Sequence, residues 1–434
     1  MIRTLIIVML MAVVVIDLLG APQGMVVADS LTRQPLPSAT VFDSHGHTIG
    51  ISDAKGRLPA IKSEQYPVTV RYLGYREREI TDNLFDTIYM SEVATELPEV
   101  TVEDRRARVL HVLAYVREYS SLTTYFDTIF LFREKMVDYM ITPDRRVKYK
   151  GWEDPRVLKS RSYYRFTNAR GLDSVSDGCN HHFSWSDWVG ISEAPEMPQR
   201  VRGIGQKTET IYGKYSPTEV WTRSDDRVTV DVNVLADTLS QKWVPHVSTF
   251  FREKMDFEDF RVRYNYDNVT GDTLRLTDLT GYSFNIASKG RGRNLFRFSR
   301  KDQEYFVNTY AEVYILDKEY ITTKEAKQWE EGKVDTTDVE IIEPATAPAL
   351  QPSIEALVAR VDGIDHEGLR LGYAPDKRLM GKPRKKQNFG QRALSMLKGV
   401  TGISYFQGKK KMKKEWNEFT KRQMEENNSH YEGE

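Results

Sequence analysis

The sequence predicts a mainly β protein with some α-helix: an N-terminal β-sandwich, then a helix packed on an antiparallel sheet, then a helical basic tail. Short runs of alternating apolar and polar residues, separated by turn residues, fill residues 24–102. Longer runs with the same alternation follow between residues 228 and 316, which favours antiparallel strands. Lysine and arginine dominate beyond residue 376, so the end of the chain differs in character from the folded part.

Residues 1–21 have the pattern of a secretory signal peptide. Arg3 precedes an apolar stretch that runs from residue 5 to residue 19, and the small residues Gly20 and Ala21 follow it. This stretch is too short for a transmembrane helix, and the order of its parts is typical of an export signal. Asp17 is unusual inside such a stretch, so a retained N-terminal anchor is the alternative. We expect an exported chain that is soluble or peripherally attached.

Composition limits the class of protein further. Cys179 is the one cysteine in 434 residues, which excludes an internal disulfide framework. With 40% hydrophobic residues the chain can bury a large core without covalent crosslinks. A chain of this length is expected to form two or three domains.

Residues 24–102 read as a β-sandwich by their alternation and their turns. Val68, Val70 and Tyr72 alternate with polar residues, as in a strand with one buried face. The turn at residues 53–56 ends in Gly56, which can adopt the positive φ that tight turns require. Short strands separated by such turns favour a sandwich, and we expect one of the seven-stranded type.

The same segment resembles the carboxypeptidase regulatory-like domain, a transthyretin-like β-sandwich at the front of many envelope proteins of gram-negative bacteria. The resemblance rests on residues 35–41, 52–56, 72–75 and 97–102. It departs from the family at Leu58, where an aromatic residue is usual. The resemblance implies a folding or docking module, located in the periplasm or at the periphery of the outer membrane. No histidine is followed three residues later by glutamate, so a zinc carboxypeptidase is excluded.

Residues 105–330 are expected to form a domain in which a helix packs on an antiparallel sheet. Apolar residues recur at helical spacing between Ala107 and Tyr119, which predicts the helix. Strands are predicted within residues 125–140, 228–234, 260–266 and 305–316. Because polar residues occupy every second position of these strands, we expect a sheet with one face in water.

The densest polar and aromatic cluster of the chain is the candidate ligand-binding site. Its members are Cys179, His181, His182, Trp185, Asp187 and Trp188. The thiolate and imidazoles suit zinc, but adjacent histidines point apart on a strand and no second pair completes a tetrahedron, so no metal and no cofactor are predicted. A Cys179 nucleophile activated by His181 is a weaker interpretation, and we predict no catalytic residue. Local packing of both tryptophans is the favoured interpretation, and a ligand or glycan platform, in which the aromatic rings stack on sugars, is the alternative.

Residues 333–352 read as a flexible acidic linker rich in proline and alanine, and residues 353–434 as amphipathic helices followed by a basic tail. Fifteen lysines or arginines and two acids lie between residues 377 and 423. A basic segment that also carries tryptophan can lie on an anionic membrane surface. The candidate residues for binding a membrane or another anion are Lys409, Lys410, Lys411, Lys413, Lys414 and Trp416.

These features predict an exported, non-enzymatic envelope protein that acts as a scaffold or binds a ligand or partner through its β domains, with the basic tail for peripheral attachment. The expected partners are an envelope protein or glycan and an anionic membrane surface, while export disfavours nucleic acid. A hydrolase that acts on envelope glycan or peptide is the alternative, through groups that converge only in the fold.

Overall fold

The computed structural model of the protein describes most of the chain from residue 25 to residue 364. The described residues are 25–82, 86–93, 108–124, 127–142, 152–168, 171, 173–179, 183–191, 194–214, 216–236, 256–291 and 304–364. The predicted signal peptide, the stretch 97–102, His181, His182 and the basic tail lie outside these residues.

The N-terminal segment folds into two small sheets that face each other. Their strands are β1 (Val26–Asp29), β2 (Thr40–Phe42), β3 (Thr48–Ile51), β4 (Val68–Arg71), β5 (Arg78–Ile80) and β6 (Thr87–Met90). β1 and β6 pair in parallel, and the other four form an antiparallel sheet in the order β3-β2-β4-β5. The alternating residues Val68 and Val70 are fully buried in the core between the sheets, as predicted. The described part of this segment, hereafter the sandwich, holds six strands where a seven-stranded type was expected.

The predicted turn at residues 53–56 connects the two sheets of the sandwich. The carboxylate of Asp53 accepts hydrogen bonds of 2.8 Å from the backbone N–H groups of Lys55 and Arg57. Gly56 has a φ of 72°, and its carbonyl accepts a 2.7 Å bond from the N–H of Val27 in β1. A side chain on Gly56 would put its Cβ 2.4 Å from the carbonyl oxygen of Val27, so this position requires glycine.

A large antiparallel sheet forms the rest of the fold, as predicted in outline. Its strands are β7 (Val109–Thr123), β8 (Asp127–Ile141), β9 (Trp152–Asn168), β10 (Asp173–Ser176), β11 (Lys207–Tyr212), β12 (Pro217–Ser224), β13 (Arg227–Asn233), β14 (Asp256–Tyr266), β15 (Leu279–Arg291) and β16 (Glu304–Ile321). Among the described residues ten strands pair in the order β10-β9-β8-β7-β16-β15-β14-β13-β12-β11. β7 and β16, the first and the last of these strands along the chain, therefore pair at the centre of the sheet, where Tyr119 lies opposite Tyr310.

The helix predicted between Ala107 and Tyr119 is wrong, because the described part of this stretch belongs to strand β7. β7 is central and covered on both faces, so residues of both faces are buried. A strand of this kind shows no alternation of apolar and polar residues. Val112 and Leu113 are adjacent and point to opposite faces of the sheet. Two adjacent apolar residues with others three or four positions away also fit one face of a helix, which is why the sequence indicated a helix here.

One face of the large sheet carries the main apolar core. The predicted residues Val228, Val230, Val262 and Tyr264 all belong to it. The segments 183–191 and 194–201 cross this face and contribute further buried residues, which are Phe183, Trp185, Val189, Ile191, Met197 and Val201. The alternation in these strands therefore predicted correctly which side chains enter the core.

The opposite, polar face of the sheet was expected to be in water, and this expectation is wrong. The sandwich covers it over β13–β15. Asn285 donates a 2.9 Å hydrogen bond to the hydroxyl of Thr40, and Asn265 donates one of 3.3 Å to the carbonyl of Leu73. Arg261 donates a 2.7 Å bond to the carbonyl of Ser52. These polar side chains are tolerated under the sandwich because each finds a partner there.

The last described part of the chain packs on the same face as the sandwich. A helix α1 (Thr323–Glu330) begins with a capping box between Thr322 and Glu325, and α2 (Pro352–Asp362) begins where a helix was predicted. Ile354, Leu357 and Val361 of α2 are buried against the aromatic residues of β7–β9. No helix among the described residues is both long enough and apolar enough to cross a membrane.

The acidic segment 333–351 lacks helix and strand, but it is bound to the sheet. The buried Arg117 of β7 donates a 2.6 Å hydrogen bond to the carbonyl of Pro348 and forms an ion pair with Glu343. Val339 and Ile341 pack beside Tyr115 and Tyr314. The composition of this segment predicted a flexible linker, but these contacts hold it against the sheet.

Candidate functional site

The two tryptophans of the predicted ligand cluster lie in different environments. Trp185 is 0% exposed and packs against Phe257 at a ring distance of 5.4 Å. Trp188 is 37% exposed and follows the short 3-10 turn Trp185–Asp187. Cys179 is half-buried and packs against the main apolar core. Trp185 and Trp188 thus form no shared exposed platform, since only Trp188 offers a surface to a ligand.

Asp187 fastens its turn to the large sheet. Its carboxylate accepts hydrogen bonds of 2.9 Å from Arg133 and 2.6 Å from the fully buried Lys135. Burial lowers the pKa of Lys135, although Asp187 opposes this effect. Burial also acts to lower the pKa of Arg133, but the charges of Asp187 and Glu118 outweigh it and raise that pKa. This arrangement has a structural explanation. Strand β8 directs Arg133 and Lys135 into the apolar face of the sheet, and the carboxylates of Asp187 and Glu118 balance their charges there.

Sequence reasoning overlooked Arg133 and Lys135, although a signal for them exists. They follow Leu131 and precede Val137 at every second position of β8, so they occupy the apolar face of the sheet. Charged residues in such positions are buried only when they have partners. This pattern predicts a buried counter-ion, which the structure supplies in Asp187.

A cavity of about 310 Å³ opens where the sandwich meets β11–β14 of the large sheet. We name it the seam cavity. The sandwich contributes Asp29, Gln34, Tyr72, Tyr75 and Glu92 to its wall, and the sheet contributes Gln206, Lys207, Thr208, Thr222, Arg223, Arg227, Thr229 and Arg263. Because both modules form the wall, the seam cavity exists only when they are docked together.

Aromatic rings and a stacked guanidinium line part of the seam cavity. The rings of Tyr72 and Tyr75 lie 5.1 Å apart. The guanidinium of Arg263 lies 3.4 Å from the centre of the Tyr72 ring, which is a close cation–π contact. This arrangement holds the Tyr72 ring in a fixed orientation at the edge of the cavity.

Neutral polar groups line a further part of the seam cavity. Thr208 of β11, Thr222 of β12 and Thr229 of β13 lie in register across three neighbouring strands, so their side chains share the cavity face. Gln34 and Gln206 add amide groups. Hydroxyl and amide groups donate and accept hydrogen bonds without carrying charge, which suits a polar neutral ligand.

The charged groups of the seam cavity are already engaged with the protein. Glu92 of the sandwich forms a 3.0 Å ion pair with Arg227 of the sheet and accepts a 3.1 Å hydrogen bond from the Tyr75 hydroxyl. Burial raises the pKa of Tyr75, and the charge of Glu92 adds to this effect. Burial acts to raise the pKa of Asp29, but hydrogen bonds from Thr32 and other neighbours lower it overall. These groups therefore brace the wall and are unsuited to exchanging protons with a substrate.

The seam cavity could not have been read from the sequence. Tyr72 and Tyr75 were visible in the stretch that carries the family resemblance, but Arg263 and the threonines come from strands more than a hundred residues away. The described residues contain no group of three or more His, Cys, Asp or Glu side chains arranged to hold a metal ion.

Comparison with known proteins adds little to this description. No family model matches the sequence, and no curated protein sequence matches it. A solved structure of lipid–protein interactions in lipovitellin has 8% identity and a TM-score of 0.22. The match covers 50% of this chain and 26% of the lipovitellin chain, so this chain spans about a quarter of that structure's length. A likeness at this level carries no conclusion about fold, ligand or function.

Proposed function

We propose that this chain is an exported, non-enzymatic envelope protein that binds a polar ligand in the seam cavity. The observation that supports this proposal best is the composition of the cavity wall, which combines a tyrosine pair with a row of threonines. Concave sites that combine aromatic rings with a few fixed polar groups are the usual form of small-molecule sites. The sandwich serves as a docking module in this proposal, which agrees with the family resemblance of its sequence.

The ligand class follows from the same wall. Sugar rings present apolar faces that can pack against an aromatic ring, here the partly exposed Tyr75, and hydroxyl edges that bond to threonine and amide groups. Lys207 bonds the backbone carbonyls of Arg202 and Gly203 and has no carboxylate partner among the described residues, so it can attract a carboxylate on the ligand. Fragments of envelope glycan with attached peptide combine these features, so we propose them as the ligand.

Calorimetric titration of the full chain with soluble disaccharide-peptide fragments of peptidoglycan tests the proposal. Thr208→Trp fills the cavity and should weaken binding by at least about tenfold, which corresponds to about 1.4 kcal/mol. Thr210→Trp is the matched control, because Thr210 lies two residues along β11 on the same sheet face and outside the cavity wall. This control should bind within about twofold of the wild type.

Two outcomes would overturn the proposal. Equal loss in both variants would show that the cavity is not the site, and absence of binding by the wild type would favour scaffolding over ligand capture. Analysis of the fragments after titration distinguishes the alternative hydrolase, since shortened fragments require cleavage.

A further inference from the structure

A second concave surface lies at the other end of the sheet's sandwich-covered face, away from the seam cavity. It has a volume of about 450 Å³ and we name it the acid-rimmed groove. Its floor consists of apolar side chains from three strands and from the acidic segment 333–351, namely Leu113, Met136, Leu158, Val339 and Ile342. Ile342 is 57% exposed, so much of its side chain is accessible to a partner.

The rim of the groove is negatively charged. It contains Asp317 and Glu319 of β16 and Asp338 and Glu340 of the acidic segment. Glu319 accepts a 2.9 Å hydrogen bond from His111, but no ion pair among the described residues involves the other three carboxylates. An apolar floor beside three carboxylates that have no cationic partner among the described residues is complementary to a basic segment that carries large apolar side chains.

The chain itself contains such a segment. Residues 377–423 hold fifteen lysines or arginines against two acids. Within them, Met412, Trp416 and Phe419 are spaced by four and three residues, a spacing that places side chains on one face if the segment is helical. Lysines occupy positions 409–411, 413 and 414, directly beside these apolar residues.

The chain can reach from α2 to the groove. Phe132 packs under α2, and Met136 lies in the groove floor on the same face of the same strand, four residues further along β8. Four residues of strand span about 13 Å. The chain between residue 364 and residue 412 can extend many times that distance, at about 3.3 Å per residue or more. Tethering also raises the effective concentration of the segment at the groove to about the millimolar range.

We propose that the acid-rimmed groove binds the chain's own basic segment, with Trp416 on the apolar floor and the neighbouring lysines on the carboxylate rim. An anionic membrane surface attracts the same lysines, so binding in the groove and attachment to the membrane exclude each other. The groove thereby controls when the tail is available for attachment. This inference does not depend on the seam cavity or on the ligand proposed for it.

Photo-crosslinking of the full chain tests the inference. Trp416 is replaced by the photoreactive residue benzoylphenylalanine, and the crosslinked peptides are identified by mass spectrometry. We expect the crosslinks to fall on groove residues, above all on Met136 and Ile342. Mixing isotopically labelled and unlabelled protein shows whether each crosslink joins residues of one chain, which is the expected result.

Charge variants give the second measurement. Asp338→Asn with Glu340→Gln removes two exposed rim charges and should reduce groove crosslinking about threefold to tenfold. The same pair should increase binding of the full chain to phosphatidylglycerol-containing vesicles by a similar factor. Glu330→Gln with Glu355→Gln is the matched control, because it removes two exposed acids on α1 and α2 outside the groove. The control should leave both readouts within about twofold of the wild type.

Three results would overturn the inference: crosslinks scattered over the surface, crosslinks mainly between labelled and unlabelled copies, or equal effects of the rim and control pairs. Loss of groove crosslinks on addition of the anionic vesicles would support it, because the inference requires the two surfaces to compete.

Discussion

Arg71 of the sandwich donates a 2.6 Å hydrogen bond to the hydroxyl oxygen of Tyr119 in the large sheet. The guanidinium is 2% exposed, lies 3.9 Å from Glu312 of β16 and forms a 3.0 Å ion pair with Glu77. A further bond of 3.3 Å reaches the carbonyl of Ala349 in the acidic segment. One buried cation therefore joins the sandwich, the sheet and the acidic segment.

Tyr119→Phe should destabilise the protein, because it removes a hydroxyl that accepts from a buried charged donor. Hydrogen bonds to charged groups contribute about 1.5–3 kcal/mol, and we expect a loss of that size in the free energy of unfolding. Urea denaturation measures it. Tyr212→Phe is the control, since Tyr212 is 72% exposed and its variant should match the wild type. Equal stability of the two variants would contradict a joining role for Arg71.

Asp187→Asn should also be destabilising, since it leaves Lys135 buried without its counter-ion. Removing one partner of a buried ion pair costs about 3–5 kcal/mol. The double variant Asp187→Asn with Lys135→Met should recover part of this loss, because the uncompensated charge is gone. Thermal and urea unfolding without any ligand are the measurements. If Asp187→Asn leaves stability unchanged, Asp187 is not an anchor and its role as a ligand-binding residue gains support.

The stability of the protein should depend on the protonation of His111. The imidazole lies 3.2 Å from Asp138 and 2.9 Å from Glu319, and it packs against Trp329 of α1. Burial acts to lower its pKa, but Asp138 and Glu319 outweigh burial and raise the pKa above 6.5. Arg156 also binds Asp138 and stacks on Trp329, so it is the other cation of this cluster.

Because the folded-state pKa of His111 is raised, its contribution to stability is fully present below pH 6.5 and is lost as the pH rises through the folded-state value. His111→Gln should therefore be less stable than the wild type near pH 5 and approach it near pH 8. Melting temperatures at both pH values measure this. His45→Gln, in an exposed turn, is the control for loss of an imidazole. A difference between His111→Gln and the wild type that grows with pH would refute the assignment.

Gly56→Ala should destabilise the sandwich more than Gly171→Ala. Both glycines have a positive φ, of 72° and 76°, which costs a non-glycine residue about 1–2 kcal/mol. The added Cβ at Gly56 also meets the carbonyl of Val27 at 2.4 Å, whereas no atom of the described residues lies within 4 Å of a Cβ added at Gly171. Comparison of the two variants by urea unfolding separates the steric effect from the backbone effect. A Gly171→Ala variant as unstable as Gly56→Ala would show that sterics at the turn do not matter.

The sequence predicted best those strands that have one apolar and one polar face. Val228, Val230, Val262 and Tyr264 all lie in the core as their alternation indicated. The prediction from sequence failed for β7, because both faces of this strand are buried and its apolar and polar residues therefore do not alternate. The wrong expectation for the polar face, that it lies in water, has a related cause. Asn265 and Asn285 bond to polar groups of the sandwich, and a sheet face in contact with water would show the same polar residues in the sequence.

The candidate site was predictable only in its parts. Asp187 was identified as a polar group near aromatic residues, but its partners Arg133 and Lys135 come from a strand about fifty residues earlier. The seam cavity depends on the docking of the sandwich on the large sheet. The residues next to Tyr72 and next to Arg263 in the sequence do not predict that these two side chains come into contact. Long-range docking of this kind is set by the whole surface of each module.

The position of β7 and β16 at the centre of the sheet has a consequence for synthesis and folding. Ser120 and Thr309 bond across this central pair although they are 189 positions apart in the chain. A nascent chain can form the hairpins β7–β8 and β8–β9 early, but the other edge of β7 has no strand to pair with until β16 has been made. Pairings between such distant segments fold slowly, and an unpaired apolar edge is a template for aggregation. Chains that end before residue 321 should therefore aggregate rather than persist as soluble fragments.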